Sequence, residues 1–215
     1  MADPYGLQGR RLYLCTADRP DLVPFLAACL RGGVDLVQLR DKVLDARPLL
    51  ARAEVAAVVC ADFGVPLILN DRPDLALAGD VAGVHVGQDD TPPEVARRIL
   101  GPERIVGLST HAPAEWDAAA VAPVDYLSAG PVSPTPTKPG RPATGLEYLS
   151  YAAASAAGAA IPWFVTGGVT PETVPEMAAA GARRFVVVRY LTEAADPEAA
   201  ARRLRGAIDE AAGGG

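Results

Sequence analysis

The chain has 215 residues, 20 basic against 26 acidic side chains and a net charge of −6. That balance speaks against nucleic acid and anionic membrane surfaces as partners, although a local pocket of basic groups and backbone N–H donors can still hold phosphate. Half of the residues are hydrophobic, which suits one domain over 1–215 with a single core, and no apolar run reaches the length of a membrane span.

The opening stretch MADPYGLQGRRLYLC lacks the basic segment and apolar run of a secretory signal, so a cytoplasmic protein is expected. Flexible ends are expected over about 1–10 and, in the Gly-rich AAGGG tail, over about 211–215. Cys15, Cys29 and Cys60 are odd in number and form no CxxC or Cys/His cluster, so they read as reduced, buried apolar residues.

In chain order, eight short apolar runs follow one another: RLYLCT from residue 11, DLVQLR from 35, PLILN from 66, GVHVG from 83, RIVGLS from 104, DYLSAG from 125, PWFVTGG from 162 and RFVVVR from 184. Continuous apolar runs suit strands buried on both faces, as in a parallel sheet. Helix patterns fill the intervals, among them PDLVPFLAACLRGG, ARPLLARAEVAAVVCADFG, EYLSYAAASAAG, PETVPEMAAAG and PEAAARRLRGAI, several of them ending at Gly. Eight alternations predict an α/β protein that closes into a single (β/α)8 TIM barrel, with an open doubly wound sheet as the alternative. The Pro- and Thr-rich stretch from Pro131 to Gly145 reads as a lid or binding loop.

In such a barrel the site lies at the C-terminal ends of the strands. The residues closing the runs are unusually polar: Gln38, Arg40 and Lys42; Asn70 and Asp71; Gln88, Asp89 and Asp90; Ser109 and His111; Thr135, Thr137 and Lys138; then Gly167 and Gly168. Any one of these could be a helix cap. Their convergence on one rim is better explained by a ligand.

Arg40, Lys42 and Lys138 can meet a polyphosphate, and Asp71 with Asp90 offers hard oxygen ligands for a Mg²⁺ shared with it. Gly167 and Gly168, followed by a helix expected from about Pro171, suit a monophosphate site. His85, inside an apolar run, is expected to be a hydrogen-bonded structural residue, whereas His111 could contact phosphate. No catalytic triad, His metal cluster or GxSxG turn is present in the sequence, which argues against a covalent hydrolase.

QLRDK at 38–42, LNDRPDLA at 69–76, GVHVGQDD at 83–90, GLSTH at 107–111, AGPVSPTPTK at 129–138 and TGGV at 166–169 together resemble the thiamine-phosphate synthase family, from about Leu12 to Leu204. The resemblance implies an enzyme that joins 4-amino-5-hydroxymethyl-2-methylpyrimidine diphosphate to a phosphoethyl-thiazole, or its carboxylated form, giving thiamine phosphate and diphosphate with Mg²⁺ as cofactor. It implies that Gln38, Arg40, Lys42, Asn70, Ser109 and Lys138 hold the pyrimidine diphosphate, with Arg40, Ser109 and Lys138 acting in catalysis. Asp71 and Asp90 would bind the metal. Thr135, Thr137 and the backbone at Gly168, Val188 and Arg189 would hold the thiazole phosphate.

The implied mechanism is dissociative: diphosphate leaves, a pyrimidine methylene cation forms, and the thiazole nitrogen attacks it. The implied partners are these small phosphorylated molecules, for a protein that could form a homo-oligomer. Ser133, Thr166 and Arg189 depart from the commonest family pattern. The competing readings are a thiazole tautomerase, a catalytically silent phosphate-binding barrel and a phosphosugar isomerase or epimerase. The cations, the acidic pair and the TPTK loop favour the synthase over the tautomerase.

Overall fold

A computed structural model describes residues 5–134, 142–155 and 160–213. Each expected run carries a strand: β1 (Leu12–Thr16), β2 (Leu36–Leu39), β3 (Leu67–Asn70), β4 (Gly83–Val86), β5 (Ile105–Thr110), β6 (Tyr126–Ala129), β7 (Trp163–Val165) and β8 (Phe185–Val187). The strands pair in parallel in chain order, and β8 returns to β1 through Leu12↔Phe185, Tyr13↔Val186 and Leu14↔Val187. That last ladder closes the barrel and excludes the open sheet.

Helices follow the strands: α1 (Leu22–Arg31), α2 (Ala46–Asp62), α3 (Pro73–Ala78), α4 (Pro93–Leu100), α5 (Pro113–Ala119), α6 (Gly145–Ala154), α7 (Val174–Ala179), α8 (Arg189–Thr192) and α9 (Pro197–Gly213). Proline in the first turn of α3, α4, α5 and α7 occupies positions whose N–H would lack an intrahelical partner anyway.

Side chains alternate across each strand, so one apolar run supplies two cores. Leu12, Leu14, Val37, Leu39, Leu69, Val84 and Val106 face the helices in the larger core. Tyr13, Cys15, Leu36, Ile68, Ile105, Tyr126, Phe164 and Val186 fill the barrel interior. Along several strands the inward position changes from apolar to polar toward the C-terminal end: Leu36 is followed by Gln38, Ile68 by Asn70, Ile105 by Ser109 and Tyr126 by Ser128. That gradient builds a hydrophobic plug with a polar top.

The opposite end is sealed by a short 3-10 turn, Leu7–Gly9, whose Leu7 is buried. Arg10 ties this turn down by donating from Nε to the Tyr5 carbonyl at 3.0 Å and from Nη1 to the Asp35 carbonyl at 2.8 Å. The Asp35 carboxylate accepts from the backbone N–H of Arg11 and Leu12 and pairs with Arg205 at 2.8 Å. From Tyr5 onward the segment expected to be a flexible end is therefore packed on the barrel floor, and α9 runs on through Gly213.

Candidate active site

A cavity of about 300 Å³ opens at the C-terminal end of the barrel. All eight strands or the residues just after them reach it. Gln38, Arg40, Asn70 and Ser109 line one side, and Pro131, Thr166–Thr170, Val188 and Arg189 line the other. Strand register sets the first group in place, with Asn70 opposite His85 and Ser109 opposite Ser128. The Asn70 side chain is buried, and its Nδ2 has no hydrogen-bond partner among the described residues. A buried donor left in this state costs about 1–3 kcal/mol unless a ligand supplies the acceptor.

Beside Asn70 the chain turns sharply. Asp71 adopts a left-handed conformation (φ 61°), which Asp tolerates better than most residues, and its N–H donates to the His85 carbonyl at 2.9 Å. Its carboxylate pairs with Lys42 Nζ at 2.9 Å and adjoins the carboxylate of Asp90. The Asp90 carboxylate is fixed in turn by the Gly87 N–H at 2.9 Å. Burial, and then Asp90, pushes the Asp71 carboxyl above the usual carboxylate range, while Lys42 pulls it back.

Two adjoining carboxylates that oppose each other's ionisation fit a cation. Among the described residues, no group of three or more His, Cys, Asp or Glu side chains could hold a metal by itself. Asp71 and Asp90 are the residues that could hold a hard divalent cation such as Mg²⁺, which takes carboxylate oxygens as ligands.

Sequence reasoning missed what shapes the cation loop. Asp41 Oδ1 accepts from the N–H of Val43 and Leu44, both at 2.8 Å, and so folds back the segment that carries Arg40 and Lys42. An Asp at a loop start is the usual sign of such an Asx turn and could have given it away. Gln88 Nε2 donates to the Ser109 carbonyl at 2.7 Å, which ties the end of β5 to the loop after β4.

On the other side, Gly167 and Gly168 both have left-handed φ, 97° and 79°. A Cβ at Gly167 would lie 2.6 Å from Pro131 Cβ and 2.7 Å from Val132 N, so the loop after β6 is pressed onto the loop after β7. Ser133 covers Gly168 in the same manner, with its Cβ 3.1 Å from a Cβ built there. Ser133 therefore packs on the glycine turn. Thr166 lines the cavity while its carbonyl accepts from Val132 N–H at 2.9 Å.

The next helix starts at Val174 and not at Pro171, because Thr173 Oγ1 accepts from Thr170 N–H at 3.0 Å and closes a separate turn first. The exposed Arg189 opens the short helix α8, directly after Val188, and both line the cavity with Tyr190 and Glu193. Sequence reading had not singled out Tyr190, Glu193, Tyr13, Cys15 or Ser128.

Of the residues expected at the site, Gln38, Arg40, Asn70, Ser109, Gly168, Val188 and Arg189 line this one cavity, and Lys42, Asp71 and Asp90 flank it. Thr135, Thr137 and Lys138 lie outside the described residues. His111 is not a lining residue; its ring Nδ1 meets the Gly130 carbonyl and its N–H donates to Glu115 at 2.8 Å. His85 is buried and hydrogen-bonded through both ring nitrogens. None of the three cysteines is in a disulfide, and burial pushes the thiols of Cys29 and Cys60 up to about 12, which keeps them protonated.

Comparison with known proteins bears on this pocket. Residues 12–191 match the family model described as thiamine monophosphate synthase. A thiamine-phosphate synthase of Saccharopolyspora erythraea is 48% identical over 216 residues, covering 94% of this chain and 96% of the relative. One of Thermobifida fusca is 52% identical over 204 residues, covering 93% and 92%. Among solved structures, a thiamine phosphate pyrophosphorylase from Pyrococcus furiosus superposes with a TM-score of 0.84 at 29% identity, over 94% of this chain and 96% of that one. A 3-hexulose-6-phosphate synthase, at 21% identity and TM-score 0.66 over 92% and 99%, shares the fold.

Proposed function

The chain belongs to the thiamine monophosphate synthase family, which makes it a transferase of thiamine biosynthesis, and we propose that its rim performs the transfer with one substrate held on each side of the cavity. The pyrimidine diphosphate is bound by Gln38, Arg40, Lys42, Asn70, Ser109 and Lys138. The thiazole phosphate is bound by the backbone of Gly168, Val188 and Arg189, together with Thr135 and Thr137. What supports this reading most is Asn70, a buried amide whose donor has no partner among the described residues, at the point where the cation loop and the acidic pair meet.

Asp71 and Asp90 would hold Mg²⁺, which when bound neutralises charge on the diphosphate as a Lewis acid. Arg40, Lys42 and Lys138 take up the charge that gathers on the departing diphosphate, Arg40 through a planar fork and the lysines as point charges. Ser109 donates a hydrogen bond to the same group. The pyrimidine methylene left behind is electron-poor, and the thiazole nitrogen attacks it from across the cavity. No enzyme nucleophile is required. The protein's part is to hold both partners in line and keep water from the cation, a task for the loop after β6, whose base is fastened on Gly167 and Gly168.

The same reading places the protein in the cytoplasm, acting on small phosphorylated substrates, as a monomer or a homo-oligomer. Lys42, Asp71 and Asp90 favour the synthase over a thiazole tautomerase, which has no diphosphate to hold. The test is a coupling assay with both substrates, with and without Mg²⁺, following thiamine phosphate by conversion to a fluorescent thiochrome. Metal-dependent product is expected; its absence from folded protein would overturn the assignment.

A further inference from the structure

Beneath the cavity, six side chains from five strands form one continuous line of hydrogen bonds across the barrel. Cys15 Sγ donates to Gln38 Oε1 at 3.3 Å, and Gln38 Nε2 donates to Tyr13 OH at 2.6 Å. Tyr13 OH meets Tyr126 OH at 2.8 Å, and Tyr126 OH meets His85 Nδ1 at 2.8 Å. His85 Nε2 reaches Ser109 Oγ at 2.8 Å. Ser128 Oγ also donates to Ser109 Oγ, at 3.3 Å.

Packing holds the central members firmly. Tyr13, Tyr126 and Phe164 meet edge to face, with centroids 5.3–5.9 Å apart, and the His85 ring stacks on Tyr126 at 5.4 Å. A Cβ at position 107 would collide with the ring and hydroxyl of Tyr126, so Gly107 makes the room in which this hydroxyl stands.

Each phenol has one hydrogen to give, and burial pushes both far above the ordinary tyrosine range, so neither loses it. With the Gln38 amide donating, Tyr13 accepts and must pass its own hydrogen to Tyr126. Tyr126 then donates to His85 Nδ1. A neutral imidazole that accepts at Nδ1 carries its proton on Nε2, and this proton goes to Ser109. Ser109 Oγ then accepts from both His85 and Ser128, and the hydrogen it carries is not spent on His85.

We infer that Tyr13, Tyr126 and His85 are positioning residues that make Gln38 and Ser109 one unit: the face shown by the Gln38 amide sets whether the Ser109 hydroxyl, on the far side of the barrel, accepts from His85 or donates to it. If the amide presents an acceptor to Tyr13, every hydrogen in the line reverses and Ser109 donates to His85. The inference rests on the reading of Gln38 and Ser109 as contacts to the pyrimidine diphosphate. It adds that the two contacts cannot be set independently.

The experiment reads the tautomer of His85 directly. The chain has 2 histidines, so nitrogen NMR of histidine-labelled protein at mildly alkaline pH is simple to assign. Wild-type His85 is expected to carry its proton on Nε2. Gln38→Glu, which offers Tyr13 only an acceptor, should move the proton to Nδ1, although residue 38 and His85 do not touch through their side chains in this line. Adding Tyr13→Phe should cut the transmission and restore the Nε2 form.

A wild-type Nδ1 tautomer or imidazolium, or a tautomer indifferent to Gln38→Glu, would overturn the inference. Should the Glu variant fail to fold, the wild-type tautomer and Tyr126→Phe still decide. Tyr126→Phe should lower kcat/KM for the pyrimidine diphosphate about tenfold, the worth of one well-aligned hydrogen bond, and leave KM for the thiazole phosphate unchanged. An equal loss for both substrates, or none, would count against a positioning role. A wild-type protein without coupling activity but with the expected tautomer switch would sink the proposed function and leave the line itself standing.

Discussion

The two ends of the barrel are both rich in charged and polar side chains, yet they use them in opposite ways. At the floor, Asp35 accepts two backbone N–H groups and pairs with Arg205, while Arg10 donates into neighbouring carbonyls. These groups satisfy one another and hold the fold shut. At the rim, Asn70 keeps a buried donor without a partner among the described residues, and two carboxylates stand together against their own repulsion. The difference separates polar groups that stabilise from polar groups kept for a ligand, since only the latter retain an unmet demand.

Changes at the two ends should therefore have different effects. Asp71→Asn keeps the volume and the left-handed backbone but removes a carboxylate from the cation pair; coupling turnover should fall by about a hundredfold or more, with an unchanged circular dichroism spectrum. Asp35→Ala should do the reverse, lowering stability by about 3 kcal/mol in urea titration because two N–H groups and Arg205 lose their acceptor, with kcat of the folded fraction within about twofold of wild type. Asn70→Leu sharpens the contrast: replacing an unsatisfied amide with an apolar side chain of similar size should raise stability by about 1 kcal/mol while activity falls. The smallest effect is expected from the metal. Millimolar Mg²⁺ should raise the melting temperature of the wild type by about 2–4 °C and leave Asp71→Asn where it was. A thermal shift that survives Asp71→Asn would place the cation elsewhere.

The fold was legible because strands buried on both faces leave continuous apolar runs, and seven strands fall within runs visible in the chain while β5 ends one residue past its run. The gathering of Gln38, Arg40, Asn70 and Ser109 around one cavity was legible because these residues close their runs. The floor was not, since an Asp just before a strand reads like any loop residue until Arg205 arrives from 170 residues away in α9. Nor was the line under the cavity: Tyr13 and Tyr126 sit in runs that look uniformly apolar, and their hydroxyls become polar partners only once the barrel closes. The helix expected from Pro171 shows a different limit. Thr170 and Thr173 could both be read as helix-start residues, and the side-chain bond between them moved the start to Val174.

Gly107 also constrains what this barrel can inherit. Since a side chain at 107 would collide with the ring at 126 as it stands, the two positions form a single trait: a descendant that acquires even alanine at 107 must displace or give up the tyrosine, and with it the hydroxyl that joins Tyr13 to His85. Gly107 and Tyr126 should accordingly be gained and lost together among relatives, a correlated pair whose cause is the shape of the barrel interior and not the substrate.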